Sequence, residues 1–302
     1  MRIGLAMAQY GTFASVDSVK RVACEAEAIG YQSVWVGDRA MVPIAPKDAY
    51  PSLDGLIPDE HRRFLDPLAV LSGIALITSR VRLGTSTLNA PWYPPLLLAR
   101  SLATIDLLSG GRLDAGFGLG WSTEEYAAVG VPWAERAGRL EETLDVLEEV
   151  WTRDPASHES SRWPIPPSYV HAKPVQRPRP PIYLGGFTPA ALERVGRRAD
   201  GWLGVAMPFS DLLGLWNIAR VSAERVGRDP DGLRLVLRVN ATVTESPAPA
   251  NMVPYSGTVE QIADYLRSAA MAGVHEAFLD LQLGCTNGDQ LLALAQRLIR
   301  AL

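Results

Sequence analysis

Four short segments carry residue types that could bind or transform a small molecule. In Val36-Gly37-Asp38-Arg39 a carboxylate and a guanidinium follow a short apolar run. Placed at a strand end they could bind the polar edge of a ligand; a surface turn with a local ion pair is the plain alternative. Leu83-Gly84-Thr85-Ser86-Thr87-Leu88-Asn89 puts small hydroxyl residues at another strand end, where a planar ligand could approach the backbone, although an ordinary β-forming run reads the same way. Gly116-Phe117-Gly118-Leu119-Gly120-Trp121 has closely spaced glycines but not the dinucleotide spacing, which needs a later glycine. Glu124 and Glu125 follow in an expected first helical turn, where the helix dipole alone favours carboxylates. Ile182-Tyr183-Leu184-Gly185-Gly186-Phe187-Thr188-Pro189 reads as strand, glycine turn and helix start. Free N–H groups there would face an anion, and the simpler reading is an N-cap by Thr188 with Pro189 at the first helical position.

The elements that must hold these segments alternate regularly. Strands are expected at Ile3–Gln9, Gln32–Gly37, Val81–Thr87, Arg112–Gly118, Pro181–Gly185, Gly201–Val205, Leu233–Val243 and Val274–Leu281. A helical pattern follows each: Ser15 caps the first, Gly30 closes it, and Thr258 to Gln261 spells a capping box. Eight such units predict an α/β fold, a (β/α)8 TIM barrel forming one domain over residues 1–302, with a doubly wound open sheet as the alternative. Long irregular insertions follow the second strand (Asp38 to Asp66) and the fourth unit (Arg153 to Pro180, dense in Pro), and a shorter one covers Ser246 to Tyr255. The first and third belong to the C-terminal face, where barrels keep their active sites.

Composition narrows the partners. A net charge of −4 gives no electrostatic case for nucleic acid or an anionic membrane. No apolar run is long enough to span a bilayer, and Met1 to Gly4 enters a strand pattern at once, so a cytoplasmic location is expected. The 2 cysteines, Cys24 and Cys285, form no framework and read as buried or incidental thiols. The 4 histidines (His61, His158, His171, His275) have no metal-ligand spacing, so no metal is expected and an organic cofactor is favoured.

Leu83 to Trp121 and Pro174 to Gly204, with Met1 to Asp38, together resemble the luciferase-like family, and within it the branch that uses the deazaflavin coenzyme F420. FMN-using relatives share much of the pattern. The resemblance implies that Asp38 contacts the cofactor ring region and that Thr85, Ser86 and Thr87 form a bulge behind the ring with a non-prolyl cis peptide at Ser86-Thr87. It implies that Gly185, Gly186, Phe187 and Thr188 grip the cofactor phosphate, that Glu124 lies near the cofactor, and that the chain is a homodimer. Relatives that oxidise a sugar phosphate carry His after the strand-two Asp and Glu at the position of Trp121; here those places hold Arg39 and Trp121. The implied activity is therefore a reductase delivering hydride to a C=C or C=N bond of a small-molecule substrate. Arg39 would polarise the acceptor, Trp121 would wall off water, and Tyr10, His61, Glu124 or solvent would supply the proton. Arg39 pairing only with Asp38 or Asp59 is the structural alternative. An FMN-dependent monooxygenase and a cofactor-binding protein without turnover are the rival functions.

Overall fold

The computed structural model describes residues 1–52 and 54–302. Eight parallel strands form the barrel: β1 (Arg2–Ala6), β2 (Ser33–Val36), β3 (Arg82–Thr85), β4 (Leu113–Gly118), β5 (Ile182–Gly185), β6 (Gly201–Val205), β7 (Arg234–Asn240) and β8 (Glu276–Asp280). Each pairs with the next, and Arg2↔Glu276 to Leu5↔Leu279 returns β8 to β1, so the sheet closes and the open-sheet alternative falls. Strands buried on both faces read as near-continuous apolar runs, which is why these segments were legible.

The helices are α1 (Val16–Ile29), α2 (Pro67–Ile77), α3 (Pro95–Ser109), α4 (Thr123–Ala128), α5 (Arg136–Thr152), α6 (Pro189–Arg198), α7 (Phe209–Arg225), α8 (Val259–Met271) and α9 (Gly288–Arg300). Their starts are fixed locally. The Ser15 side chain accepts from the Ser18 N–H, and Thr258 and Gln261 form the reciprocal capping box. None of the described helices is long and apolar enough to cross a membrane.

Inside the barrel Trp35 stacks on Phe278 with centroids 4.8 Å apart, and Tyr183, Leu203 and Val236 complete a separate small core. Below it, Glu276 is fully buried and pairs with Arg2 at 2.7 Å. The Ser33 hydroxyl and the Trp35 indole N–H donate to the same carboxylate. These bonds satisfy a charge that burial alone would expel.

Two expectations need correcting. β1 ends at Ala6 rather than Gln9, because Met7 to Tyr10 turn over the barrel mouth and the Gln9 amide is drawn into loop contacts. The Pro-rich segment is not merely a wrap: Ala156–His158 and Ile165–Ser168 pair antiparallel within it. Pro166 and Pro167 hid that hairpin, since proline argues against a strand and is tolerated at a free edge. Cys24 is exposed on α1 and free, as an incidental thiol would be.

Candidate functional site

The C-terminal ends of the strands converge on one mouth. β3 stops at Thr85, the Ser86-Thr87 peptide is cis, and the wall resumes as Leu88–Asn89 beside β4. Gly116 and Gly118 let β4 press against this break, since a Cβ on Gly116 would lie 1.9 Å from the Thr85 carbonyl oxygen and one on Gly118 2.4 Å from Thr87 Oγ1. The glycine-rich run thus serves strand packing, not a dinucleotide. Thr85, expected to face a cofactor, sits wholly in the barrel wall. Its hydroxyl donates to the Gly116 carbonyl at 2.7 Å and accepts from the Gly116 N–H at 2.8 Å, so the side chain is committed within the wall.

Thr87 reaches the glycine turn after β5, where a Cβ on Gly185 would come within 3.2 Å of Thr87 Cγ2. Gly186 has φ +136°, open only to glycine without strain, and a Cβ there would meet Ala191 Cβ at 2.7 Å. Thr188 caps α6 by accepting from the Ala191 N–H at 3.3 Å, and Pro189 takes the first helical position. The N–H groups of Gly186, Phe187 and Thr188 have no acceptor among the described residues. Phe187 is 46% exposed and packs edge-on against Trp202. A glycine turn with free donors at a helix N-terminus is suited to a phosphate.

Asp38 stands at the end of β2. One carboxylate oxygen accepts from the Asn89 N–H at 2.9 Å and the Tyr93 hydroxyl at 3.1 Å. Burial pushes its pKa up to about 6 against the lowering effect of those bonds.

The loop from Asp38 to Asp66 folds over the mouth and is tied at both ends by Gln9. The Gln9 side chain accepts from the Gly37 N–H and donates to the Gly37 and Leu65 carbonyls, each at 2.8 Å. The first turn of α4 holds the loop's middle. Glu124 accepts from the Lys47 N–H at 2.6 Å, and Glu125 accepts from the Ala40 and Met41 N–H groups at 2.8 and 3.2 Å. Glu124 is therefore spent on the loop at the surface, whereas the buried neighbour Glu125 faces Arg39 at 3.7 Å. Arg39 pairs with neither Asp38 nor Asp59, and Asp59 instead meets Arg62 at 2.7 Å. The Arg39 guanidinium lies 5.2 Å from the Trp121 ring centre and 5.5 Å from that of Tyr50. Tyr50 packs edge-on against His61, which in turn meets Tyr10 and Phe64. Burial and the Arg39 and Arg238 charges hold the His61 pKa down to about 4, so its imidazole is neutral at pH 7.

A second cluster was not anticipated from the sequence. Arg238 on β7 pairs with Asp280 on β8 at 2.5 Å, and donates to the Asn240 side chain at 2.8 Å and the Ser86 carbonyl at 3.1 Å. Asp280 also accepts from the Tyr10 hydroxyl at 3.1 Å and from the Gln282 side chain at 3.1 Å. Tyr10, Phe64, Ser86, Arg238 and Asp280 surround a cavity of about 10 Å³, roughly one water. The available signal was a charge interrupting each of two apolar strands, in Leu235-Val236-Leu237-Arg238-Val239 and Ala277-Phe278-Leu279-Asp280.

The profile of the luciferase-like monooxygenase family matches residues 2–255. An uncharacterized protein of Mycobacterium tuberculosis is 35% identical over 181 residues, 59% of this chain and 64% of that protein. The chain's match thus spans less than two thirds of that relative's length. An F420-dependent glucose-6-phosphate dehydrogenase of Amycolatopsis mediterranei is 30% identical over 60% of this chain and 51% of its own. An FMNH(2)-dependent dimethylsulfone monooxygenase of Pseudomonas putida is 33% identical over 45% and 38%. Among solved structures, an F420-dependent secondary alcohol dehydrogenase superposes with a TM-score of 0.79 at 18% identity, covering 99% of this chain and 98% of that one. The coenzyme F420-dependent tetrahydromethanopterin reductase of Methanopyrus kandleri gives 0.76 at 18% identity, covering 99% and 98%. These superpositions establish the shared barrel fold.

Proposed function

The chain belongs to the luciferase-like monooxygenase family, and on that premise we propose that it is a cytoplasmic oxidoreductase that holds coenzyme F420 at the barrel mouth and reduces a C=C or C=N bond of a small molecule. The observation that carries this reading is the glycine turn at Gly185-Gly186, whose free N–H donors at the start of α6 sit one side chain away from Thr87. That pairing suits a ligand with a phosphate at one end and a flat ring at the other. F420 supplies hydride when bound in its reduced form, and a reduced deazaflavin does not activate oxygen as a reduced flavin does.

In this reading Gly186, Phe187 and Thr188 bind the phosphate, while Asp38, Ser86 and Thr87 border the ring. Arg39 stays protonated at any working pH, so it cannot be the base that alcohol oxidation requires. It can stabilise negative charge that builds on a carbonyl or carboxylate next to the reduced bond. Trp121 and Tyr50, packed edge-on at 5.3 Å, shield that position from water. Of the three side chains considered as proton donors, Tyr10 lines the mouth cavity and keeps its proton, since burial and Asp280 hold its pKa well above the usual tyrosine value. Glu124 positions the loop instead. A homodimer belongs to the same reading and is supported by outward apolar residues on adjacent helices, Leu76 of α2 (68% exposed) and Leu107 of α3 (46%).

The test is turnover. Purified protein with reduced F420 is offered unsaturated acids, imines and, with oxidised F420, secondary alcohols. Reduction of an acid or imine, lowered in Arg39→Ala more than cofactor affinity is, supports the reading. Robust alcohol oxidation undiminished in Arg39→Ala overturns it. The FMN-dependent relative keeps a flavin as the second reading.

A further inference from the structure

Two buried arginines flank the mouth, and they differ in one respect. Every side-chain nitrogen of Arg238 has a partner: Asn240, the Ser86 carbonyl or Asp280. The Arg39 guanidinium makes no hydrogen bond to any described residue, although its side chain is only 7% exposed and its Nη1 is buried. Glu125 stands 3.7 Å away, beyond hydrogen-bond reach, with its other oxygen committed to the backbone of Ala40 and Met41. His61, 7% exposed, likewise leaves a buried Nδ1 without a partner. Tyr50 touches both: the Arg39 guanidinium lies over its ring and the His61 imidazole packs at its edge.

Buried polar nitrogens are almost always bonded, and leaving one bare costs free energy, more so for a charged group. Two in one aromatic enclosure, at opposite ends of one loop, call for a shared acceptor. Glu125 at 3.7 Å supplies counter-charge but no hydrogen bond, and a ligand carboxylate offers two acceptor oxygens, one for each bare nitrogen. The rings of Tyr10, Tyr50, Phe64 and Trp121, packed on one another around these groups, are apolar neighbours for the rest of such a molecule.

We propose that Arg39 and His61 form the carboxylate anchor of the substrate site, and that the substrate is a planar unsaturated carboxylate. One carboxylate oxygen accepts from Arg39 Nη1, and the other accepts from His61 Nδ1–H in that tautomer of the neutral imidazole. Arg39 and His61 do not line the mouth cavity of about 10 Å³, so the loop that carries both lifts to open the space the ligand fills. The ligand then bridges the loop's first residues to its last and holds it down. The proposal deepens the reductase reading and rests on the mouth being the substrate site.

The test is equilibrium calorimetry on the purified full chain without added cofactor, using cinnamate and its neutral isostere cinnamamide. Cinnamate is expected to bind at least about tenfold more tightly, the equivalent of about 1.4 kcal/mol. That preference should fall below about threefold in Arg39→Met and shrink in His61→Phe, at the same conversion. Equal affinity for the two probes, including no measurable binding of either, overturns the anchor. So does a wild-type preference retained in both variants. Should Arg39→Met fail to fold, the probe pair on the wild type and on His61→Phe still decides. A carboxylate preference in a chain that fails to bind F420 would leave the anchor standing and sink the deazaflavin reading.

Discussion

Arg238 donates from Nη1 to the carbonyl oxygen of Ser86 at 3.1 Å, tying the seventh strand to the break at the end of the third across 152 residues of chain. The same guanidinium closes on Asp280 of the eighth strand. One side chain thereby fixes three strand ends around the mouth. Burial lowers the Arg238 pKa, and Asp280 more than offsets it, so the value is raised overall.

Removing Arg238 leaves Asp280 buried with hydrogen bonds from Tyr10 and Gln282 but without its counter-charge. Arg238→Met is expected to destabilise the protein by about 3–5 kcal/mol. Denaturant unfolding measures this; a loss within about 0.5 kcal/mol, the level of an ordinary surface substitution, would show that the cluster does not hold the mouth together.

Asp38 gives a pH signature. Its folded pKa, about 6, lies above the ordinary aspartate value of 3.8, so the native state binds the extra proton between those values. Stability from this group is therefore highest at acid pH and falls as pH rises through about 4 to 6. Asp38→Asn should remove that fall, a gain over wild type of at most about 3 kcal/mol at pH 7 that vanishes near pH 4. Thermal unfolding across the range checks it, and a variant whose pH profile parallels wild type contradicts it.

His61 acts with the opposite sign. Its folded pKa of about 4 lies below the ordinary histidine value of 6.5, so the unfolded chain binds the extra proton between them. Its contribution is present above about 6.5 and is lost as pH falls toward 4. Over the shared window the two groups oppose each other, and His61→Phe should expose the Asp38 slope. A His61→Phe profile no steeper than wild type would show that the imidazole titrates normally.

How far the sequence could carry the reading depended on distance along the chain. Gly185, Gly186, Thr188 and Pro189 were legible because turn and cap chemistry acts over a few residues, and the structure shows that turn and cap. The Ser86-Thr87 cis peptide came from family resemblance, not from residue pattern. Arg238, Asp280 and Gln282 escaped, and Tyr10 was named without its partners, because the four meet only when the barrel closes, with Tyr10 and Asp280 separated by 270 positions. The direction of Thr85 was not legible, because side chains alternate along a strand: its hydroxyl lies in the wall, bonded to Gly116. Glu124 and Glu125 are adjacent, and only the phase of α4 decides which one turns inward to Arg39.

The turn after the fifth strand offers a substitution with two readouts. Gly186→Ala places a Cβ 2.7 Å from that of Ala191 at a φ of +136°. It should cost about 1–2 kcal/mol of stability, the penalty of a side chain in left-handed backbone. It should also weaken F420 binding by about tenfold or more. A folded variant with unchanged affinity would remove this turn from the site.

The account stands or falls on the cofactor. Equilibrium titration of the purified wild-type chain with oxidised F420 and, separately, with FMN tests it most directly. Saturable F420 binding at least about tenfold tighter than FMN, and weakened in Gly186→Ala, is the predicted result. Preferential FMN binding, or no binding of either, would contradict it.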